Sequence, residues 1–200
     1  MAPDDPIALP PTAQDLLFRE ARTANAFTDE PVPDAQLRAI WELVRWAPTA
    51  SNTQPLRVTF VRTPAGRERL LPLMSAGNRE KTAQAPVTAI LATDTRFFTH
   101  WDRLVPHKAG SGAKLADAPE KAGSMARLNG ALQAGYFLLG VRAAGLAAGP
   151  MAGFDAAAVD AEFLADGLRS FLVVNVGHPA EDAWRERLPR LRPDEVLTFA

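Results

Sequence analysis

The apolar positions along the chain fall into a few distinct periods. Leu37, Ile40, Trp41 and Val44 recur at i, i+3, i+4 and i+7, the stripe of an amphipathic helix, with Asp34 ahead of it as a cap. A weaker stripe, Leu16-Leu17 followed by Glu20-Ala21, predicts a first helix from Thr12 to about Asn25, with Thr12 as N-cap. Pro64 suits the first position of a helix whose apolar face is Leu70, Leu71, Leu73 and Met74. The longest helix is expected from Ser124 to Ala144, ended by Gly145, and Asp155 caps another to Phe163. Phe97, Phe98, Trp101 and Leu104 give a short aromatic helix. Pro86 to Ala92 is a continuous apolar run, which suits a strand covered on both faces in the middle of a sheet, and Phe171 to Val176 is a strongly apolar strand. Arg57 to Arg62 and Leu146 to Met151 supply further strands, and Val196 to Phe199 a last short segment. Strands and helices do not alternate regularly, so the class is α+β and not a doubly wound sheet.

The breaks between these elements are as informative as the elements. Trp46-Ala47-Pro48-Thr49-Ala50-Ser51-Asn52-Thr53-Gln54-Pro55 joins a helix to a strand with small hydroxyls and two amides between two prolines. Proline fixes its own φ and drives the preceding residue to extended geometry, so this is a stiff, non-helical bridge. Taken alone it is first of all a helix-stopping turn; the second reading is a polar cradle for a planar, hydrogen-bonding ligand. Ser75-Ala76-Gly77 breaks another helix, and the turn that follows puts Asn78 and Lys81 on one face. Pro106 to Gly123 is rich in Gly, Lys, Ala and Pro without periodicity, as a mobile loop or lid would be.

Two hundred residues suit one domain, expected over 12–200, behind a flexible segment at 1–11 that holds four prolines and two aspartates. That segment lacks the basic and apolar regions of a signal peptide. The most apolar stretch, Leu128 to Val141, contains Asn129 and Gln133 and is too short to span a membrane, so a cytoplasmic protein is expected. A net charge of -1 supplies no field to draw in nucleic acid or a membrane surface. Without cysteine there is no disulfide or thiolate chemistry, and His100, His107 and His178 lack metal-ligand spacing, so no metal is expected. Gly110-Ser111-Gly112 lacks the third glycine and the strand of a dinucleotide fingerprint, and neither a Walker lysine motif nor a Gly-x-Ser-x-Gly elbow is present.

What remains is a set of cations with polar neighbours at chain breaks: Arg22-Thr23-x-Asn25, Asn78-x-x-Lys81 and Arg190-x-Arg192. Each alone is an ordinary solvated cluster. Together they suit an anionic ligand with a polar edge, since arginines and a hydroxyl hold phosphate while an amide and an ammonium match a heterocycle's carbonyls and ring nitrogens.

Six stretches in order carry a resemblance. They are Ala21 to Phe27, Trp46 to Pro55, Ser75 to Thr82, Ala85 to Ile90, Gly149-Pro150-Met151-Ala152-Gly153-Phe154-Asp155 and Leu188-Pro189-Arg190-Leu191. On them the chain resembles the FMN-dependent nitroreductase family, and within it the malonic semialdehyde reductase branch of pyrimidine degradation (Rut). The resemblance implies a mainly antiparallel sheet flanked by helices, in an intertwined homodimer with FMN at the subunit interface. It implies that Arg22, Thr23 and Asn25 line the cofactor's N-terminal motif and that Arg190 and Arg192 hold its phosphate. Asn78 and Lys81 would meet the flavin's pyrimidine edge, with Lys81 stabilising the reduced flavin. Pro48, Thr49, Ala50 and Asn52 would reach the flavin from the partner, and Pro150, Met151, Ala152 and Gly153 would approach N5. The implied chemistry is a two-step hydride exchange from NADH or NADPH through N5 to an acceptor, malonic semialdehyde or a nitro or quinone compound. Two positions depart from the family pattern: Asn25 stands where a second basic residue is usual, and Ala152 where an acid is frequent.

Overall fold

The computed structural model describes residues 7–200. Most of the expected flexible segment, 1–6, lies outside the described residues, and Pro11 already opens a helix. That helix, α1 (Pro11–Gln14), runs into a single π-turn at Asp15–Arg19. It starts earlier than expected, with Pro10 in the cap position instead of Thr12, and ends sooner. From Ala21 the chain is extended because its amides have tertiary partners. Ala24 N–H donates to the Ala148 carbonyl at 3.0 Å and Asn25 N–H to that of Ala183 at 3.0 Å. Long-range pairing has overridden a weak helical stripe.

Helix α2 (Asp34–Val44) buries Leu37, Ile40 and Val44 as the stripe requires. Pro33 holds the cap position and Asp34 the first turn, where its charge still favours the helix N-terminus. Strand β1 (Leu56–Val61) follows, then α3 (Pro64–Leu70), where Thr63 Oγ1 accepts the Gly66 N–H at 3.1 Å. Next come α4 (Ala76–Gln84), β2 (Val87–Asp94) and α5 (Trp101–Leu104). The long α6 (Pro119–Ala143), β3 (Ala147–Met151), α7 (Ala156–Phe163), β4 (Leu168–Gly177) and α8 (Pro193–Val196) complete the order.

The four strands form one antiparallel sheet in the order β1-β2-β4-β3. Every residue of β2 is buried, as its unbroken apolar run predicts for a central strand. One face carries Val87, Ala89, Leu91, Val174 and Val176, packed under α2 and α6 through Leu37, Ile40, Phe137 and Val141. The other carries Ile90, Val173 and Met151 against Leu70, Met74 and Val159 from α3, α4's approach and α7. The α+β class and the helix-flanked antiparallel sheet are therefore as expected.

The stretch expected to be a mobile lid is mostly exposed, but it has short ordered turns and anchors itself through a few buried residues, Gly112, Leu115 and Ala122. It forms short 3-10 turns at Pro106–Lys108 and Ser111–Leu115, and α6 begins at Pro119, ahead of the expected cap at Ser124. Leu115 is buried with Phe97, Trp101, Val105, Ala122 and Ala126. Trp101 Nε1 donates to the Lys108 carbonyl at 3.1 Å, and Asp102 accepts the Gly110 N–H at 2.7 Å. The aromatic helix thus supplies the core that its aperiodic neighbour needed. Gly145, at φ +77°, ends α6 in the left-handed region that favours glycine.

Candidate functional site

Two separated places hold the residues singled out by sequence, apart from Arg190 and Arg192 on the exposed tail. The first lies beside β3, at the sheet's edge. The chain leaves β3 at Met151 and passes Ala152 and Gly153 before bridging to Met74 through Phe154. Gly153 O accepts two hydrogen bonds, from Ser75 N–H at 3.0 Å and from Asn78 Nδ2 at 2.9 Å. The approach is close enough that a Cβ at Gly153 would stand 2.8 Å from Asn78 Nδ2 and 3.0 Å from Ser75 Oγ. The start of α4 is thereby fastened to the end of β3, and Lys81 follows on the next turn. Asn175 of β4, fully buried, accepts a bond from Thr88 Oγ1 at 3.0 Å and donates to the Lys81 carbonyl at 3.1 Å, which fixes α4 from beneath.

Arg22 and Lys81 are linked through a residue that sequence reasoning missed. Arg22 donates to the Arg185 carbonyl at 3.4 Å and lies 5.5 Å from the Trp184 ring. Burial and the positive charge of Arg185 together hold the Lys81 ammonium below the usual lysine range. Arg22 and Arg185 are exposed and Lys81 is half-buried, so positive charge gathers around Lys81. An anion there would relieve the repulsion and gain charge-assisted bonds. Thr23 and Asn25 lie on the same extended segment, with Asn25 Nδ2 bonded to the Thr23 carbonyl at 3.2 Å. Met151 itself is buried, its sulfur 3.7 Å from Thr82 Oγ1, so it supports the site from inside.

The second place is the bridge between α2 and β1. Ala50–Asn52 forms a 3-10 turn, and Ser51, Asn52 and Gln54 have φ of 51°, 52° and 44°. Three non-glycine residues in the left-handed region within four positions store conformational strain, which survives only where surrounding contacts enforce it. Those contacts are visible. Asn129 Oδ1 accepts the Ala50 N–H at 2.7 Å, Gln133 Oε1 accepts the Leu56 N–H at 3.0 Å, and Arg57 donates to the Gln54 carbonyl at 2.9 Å. Asn52 donates to the Leu104 carbonyl at 3.0 Å, and Thr49 Oγ1 accepts the Gln54 N–H at 3.2 Å. Pro48, Ala50 and Asn52 are exposed. The buried Thr53 hydroxyl has no partner among the described residues.

These two places do not meet within one chain. β1 and β3 are opposite edges of the sheet, three strand spacings or about 14 Å apart. Leu56 is level with Arg169 of β4 through Thr93, whereas Met151 is level with Val173, which adds about 13 Å along the strand direction. Arg190 and Arg192 likewise bond locally: Arg190 to the carbonyls of Leu188 and Pro189, Arg192 to Asp194 and Glu195. Among the described residues no group of three or more His, Cys, Asp or Glu side chains could hold a metal ion.

The fold defines a class, and comparison with known proteins gives it a name. The nitroreductase family profile matches residues 18–178, most of the chain. The chain belongs to the nitroreductase family. A Streptomyces griseus protein provisionally named NADH dehydrogenase/NAD(P)H nitroreductase is 55% identical over 193 residues, covering 96% of this chain and 98% of its own. A Leptothrix cholodnii protein of the same provisional name is 55% identical over 185 residues, covering 92% and 94%. The crystal structure of a nitroreductase family protein from Streptococcus pneumoniae superposes with a TM-score of 0.77 at 25% identity, over 92% of this chain and 98% of that one. A structure from Exiguobacterium sibiricum, solved in complex with FMN, shares the fold with a TM-score of 0.79 at 14% identity, over 94% and 96%. Among the described residues no helix is long and apolar enough to cross a membrane.

Proposed function

We propose that the protein is a homodimeric, cytoplasmic, FMN-dependent NAD(P)H oxidoreductase whose site is completed by two chains. One observation carries the reading: Asn78 Nδ2 donates to the Gly153 carbonyl at 2.9 Å and so fastens the start of α4, with Lys81 one turn on, to the end of β3 in a chain of the nitroreductase family. The donor set fits the cofactor. Arg22, Thr23 and Asn25, with Arg190 and Arg192 from the tail, would hold the phosphate and ribityl groups. Asn78 and Lys81 would face the ring's polar edge, and the backbone of Pro150, Met151, Ala152 and Gly153 would lie beneath it. Pro48, Thr49, Ala50 and Asn52 would close the site from the partner. When bound, FMN supplies ping-pong hydride exchange at N5 between NADH or NADPH and an acceptor. Lys81 stabilises negative charge that develops on the cofactor.

The surface supports the dimer. On α6, Leu128, Leu132 and Tyr136 lie at i, i+4 and i+8 and are 65%, 49% and 43% exposed, an apolar stripe of the kind that marks an interface. Residues 185–200 are all exposed, Leu188, Leu191, Leu197 and Phe199 among them. Such a tail has little reason to order unless a second copy covers it. A groove of about 610 Å³ between α2 and β1, floored by Leu37, Trp41, Val58, Phe60 and Phe137 beside an edge strand, offers it a seat.

Among acceptors we favour malonic semialdehyde, reduced to 3-hydroxypropionate, because the six quoted stretches resemble that branch and Ala152 leaves room over the ring. The second reading is a broad nitro or quinone reductase, favoured by the names of the 55% identical relatives. A low-turnover flavin-binding protein is the third. Purified protein that stays colourless and takes up no FMN refutes all three. Bound FMN that neither NADH nor NADPH bleaches leaves only the binding protein. If it bleaches, the rates of reoxidation by malonic semialdehyde and by a nitroaromatic decide between the two enzymes.

A further inference from the structure

We infer that Asn129 and Gln133 are positioning residues for cofactor binding: one helical turn apart on α6, their amides clamp both ends of the strained bridge and hold it in its ligand-ready form. The inference rests on the flavin reading above, and concerns residues which that reading leaves unassigned. Both side chains are buried, Asn129 to 1% and Gln133 to 3% exposure, on a helix whose other buried residues are apolar or small. Burying two amides costs stability unless their polar atoms are used. Here the oxygens accept the amide hydrogens of Ala50 and Leu56, the residues that flank the three left-handed positions. Asn129 Nδ2 in turn donates to the Met125 carbonyl at 2.8 Å, so its amide can take only one orientation. An i, i+4 pair puts the two acceptors on one face of the helix, about 6 Å apart along its axis. That spacing sets how far apart the two ends of the bridge can lie.

The position on α6 adds a consequence. Leu128 and Leu132, the residues next to Asn129 and Gln133 in sequence, belong to the exposed apolar stripe of the same helix. The helix that would meet the partner therefore also holds the loop that would reach the partner's cofactor. Docking of the stripe and presentation of the bridge become one event.

The test is FMN titration of apoprotein by quenching of flavin fluorescence, run on Asn129→Leu, Gln133→Leu and, in the bridge itself, Asn52→Ala. Tm and mass by light scattering are measured on each. Both α6 variants are expected to remain folded dimers yet bind FMN about ten-fold more weakly, since a loop free to relax spends most of its time away from the competent form. Asn129→Asp should recover affinity as pH falls, because a protonated carboxyl keeps one acceptor and one donor where the amide had them. A merely structural amide would lower Tm and leave the FMN Kd unchanged. Asn52→Ala weakening FMN while both α6 variants bind normally overturns the positioning role and leaves the flavin reading intact. If all three bind FMN as the parent does, the bridge does not touch the cofactor and the positioning role is overturned, while FMN uptake itself upholds the flavin reading; a parent that takes up no FMN would instead refute that reading. Loss of folding in both leucine variants also overturns the inference, since the amides would then serve the fold and not the bridge.

Discussion

Gly153→Ala is the substitution that isolates the junction between β3 and α4. The added Cβ would stand 2.8 Å from Asn78 Nδ2 and 3.3 Å from Ser75 Cβ. The first of these is too close for any stable contact, but Asn78 Nδ2 is the end of a partly exposed side chain and can swing aside. The fold should therefore survive, at the cost of the 2.9 Å bond from Asn78 to the Gly153 carbonyl. One such bond contributes about 1 kcal/mol net, which for a chain of this size lowers Tm by about 2–4 °C. The loss in function should be larger in proportion. An Asn78 amide turned away no longer meets the cofactor, and the forfeited bond together with the intruding methyl should weaken FMN binding about ten-fold or more. Differential scanning fluorimetry of the apoprotein and FMN titration measure the two effects on one sample. Binding within two-fold of the parent, with the expected fall in Tm, would refute the claim that this junction lies against the cofactor.

Lys81→Met should raise the apoprotein's Tm while weakening FMN binding, because the cation it removes is disfavoured by burial and by Arg185 in the absence of an anion. The same cause fixes the pH dependence. The folded chain binds that proton less well than the unfolded chain, so the penalty is present below the lowered pKa and fades as pH rises towards the ordinary 10.5. Apoprotein stability should rise over that window in the parent more than in Lys81→Met, as chemical denaturation at stepped pH would show. Gly140→Ala tests the core: its Cβ would stand 2.3 Å from Val44 Cγ1 and 3.2 Å from Ile40 Cγ2, so the α2–α6 packing must spread. A loss of about 1–3 kcal/mol is expected in urea denaturation, without change in FMN affinity of the folded fraction. Leu128→Asp with Leu132→Asp should give monomers by light scattering, together with loss of FMN binding.

Much of the fold was legible in the sequence, and the failures have physical causes. The α2 stripe, the Pro64 start, the Asp155 cap, the central strand β2 and the apolar strand β4 are local or periodic features, and they fall where the pattern puts them. The 12–25 helix fails beyond Arg19 because the amides of Ala24 and Asn25 find partners on β3 and near Trp184, which no local pattern records. The 106–123 stretch looks aperiodic because its burial comes from the neighbouring Trp101 and Phe97. At the site, the chemistry of Lys81 and Arg22, with Asn78 as a polar neighbour, could be read as cations at chain breaks. The contribution of Arg185 could not, since its effect on Lys81 spans the whole fold. Asn129, Gln133 and Asn175 did carry a signal, as amides inside otherwise apolar runs. Such residues are retained in a core only when their hydrogen bonds are used.

The central claim is that two chains build one site, and mixing experiments test it directly. One variant carries Thr49→Val with Asn52→Ala in the bridge, and the other Asn78→Ala with Lys81→Met on α4. Each alone should form dimers that bind FMN poorly. Unfolded together and refolded as a mixture, they should yield mixed dimers in which one site has both halves intact, and FMN binding should return at about one per mixed dimer. A mixture that binds no better than either variant alone would mean that the bridge and α4 serve the same chain, and would contradict the account.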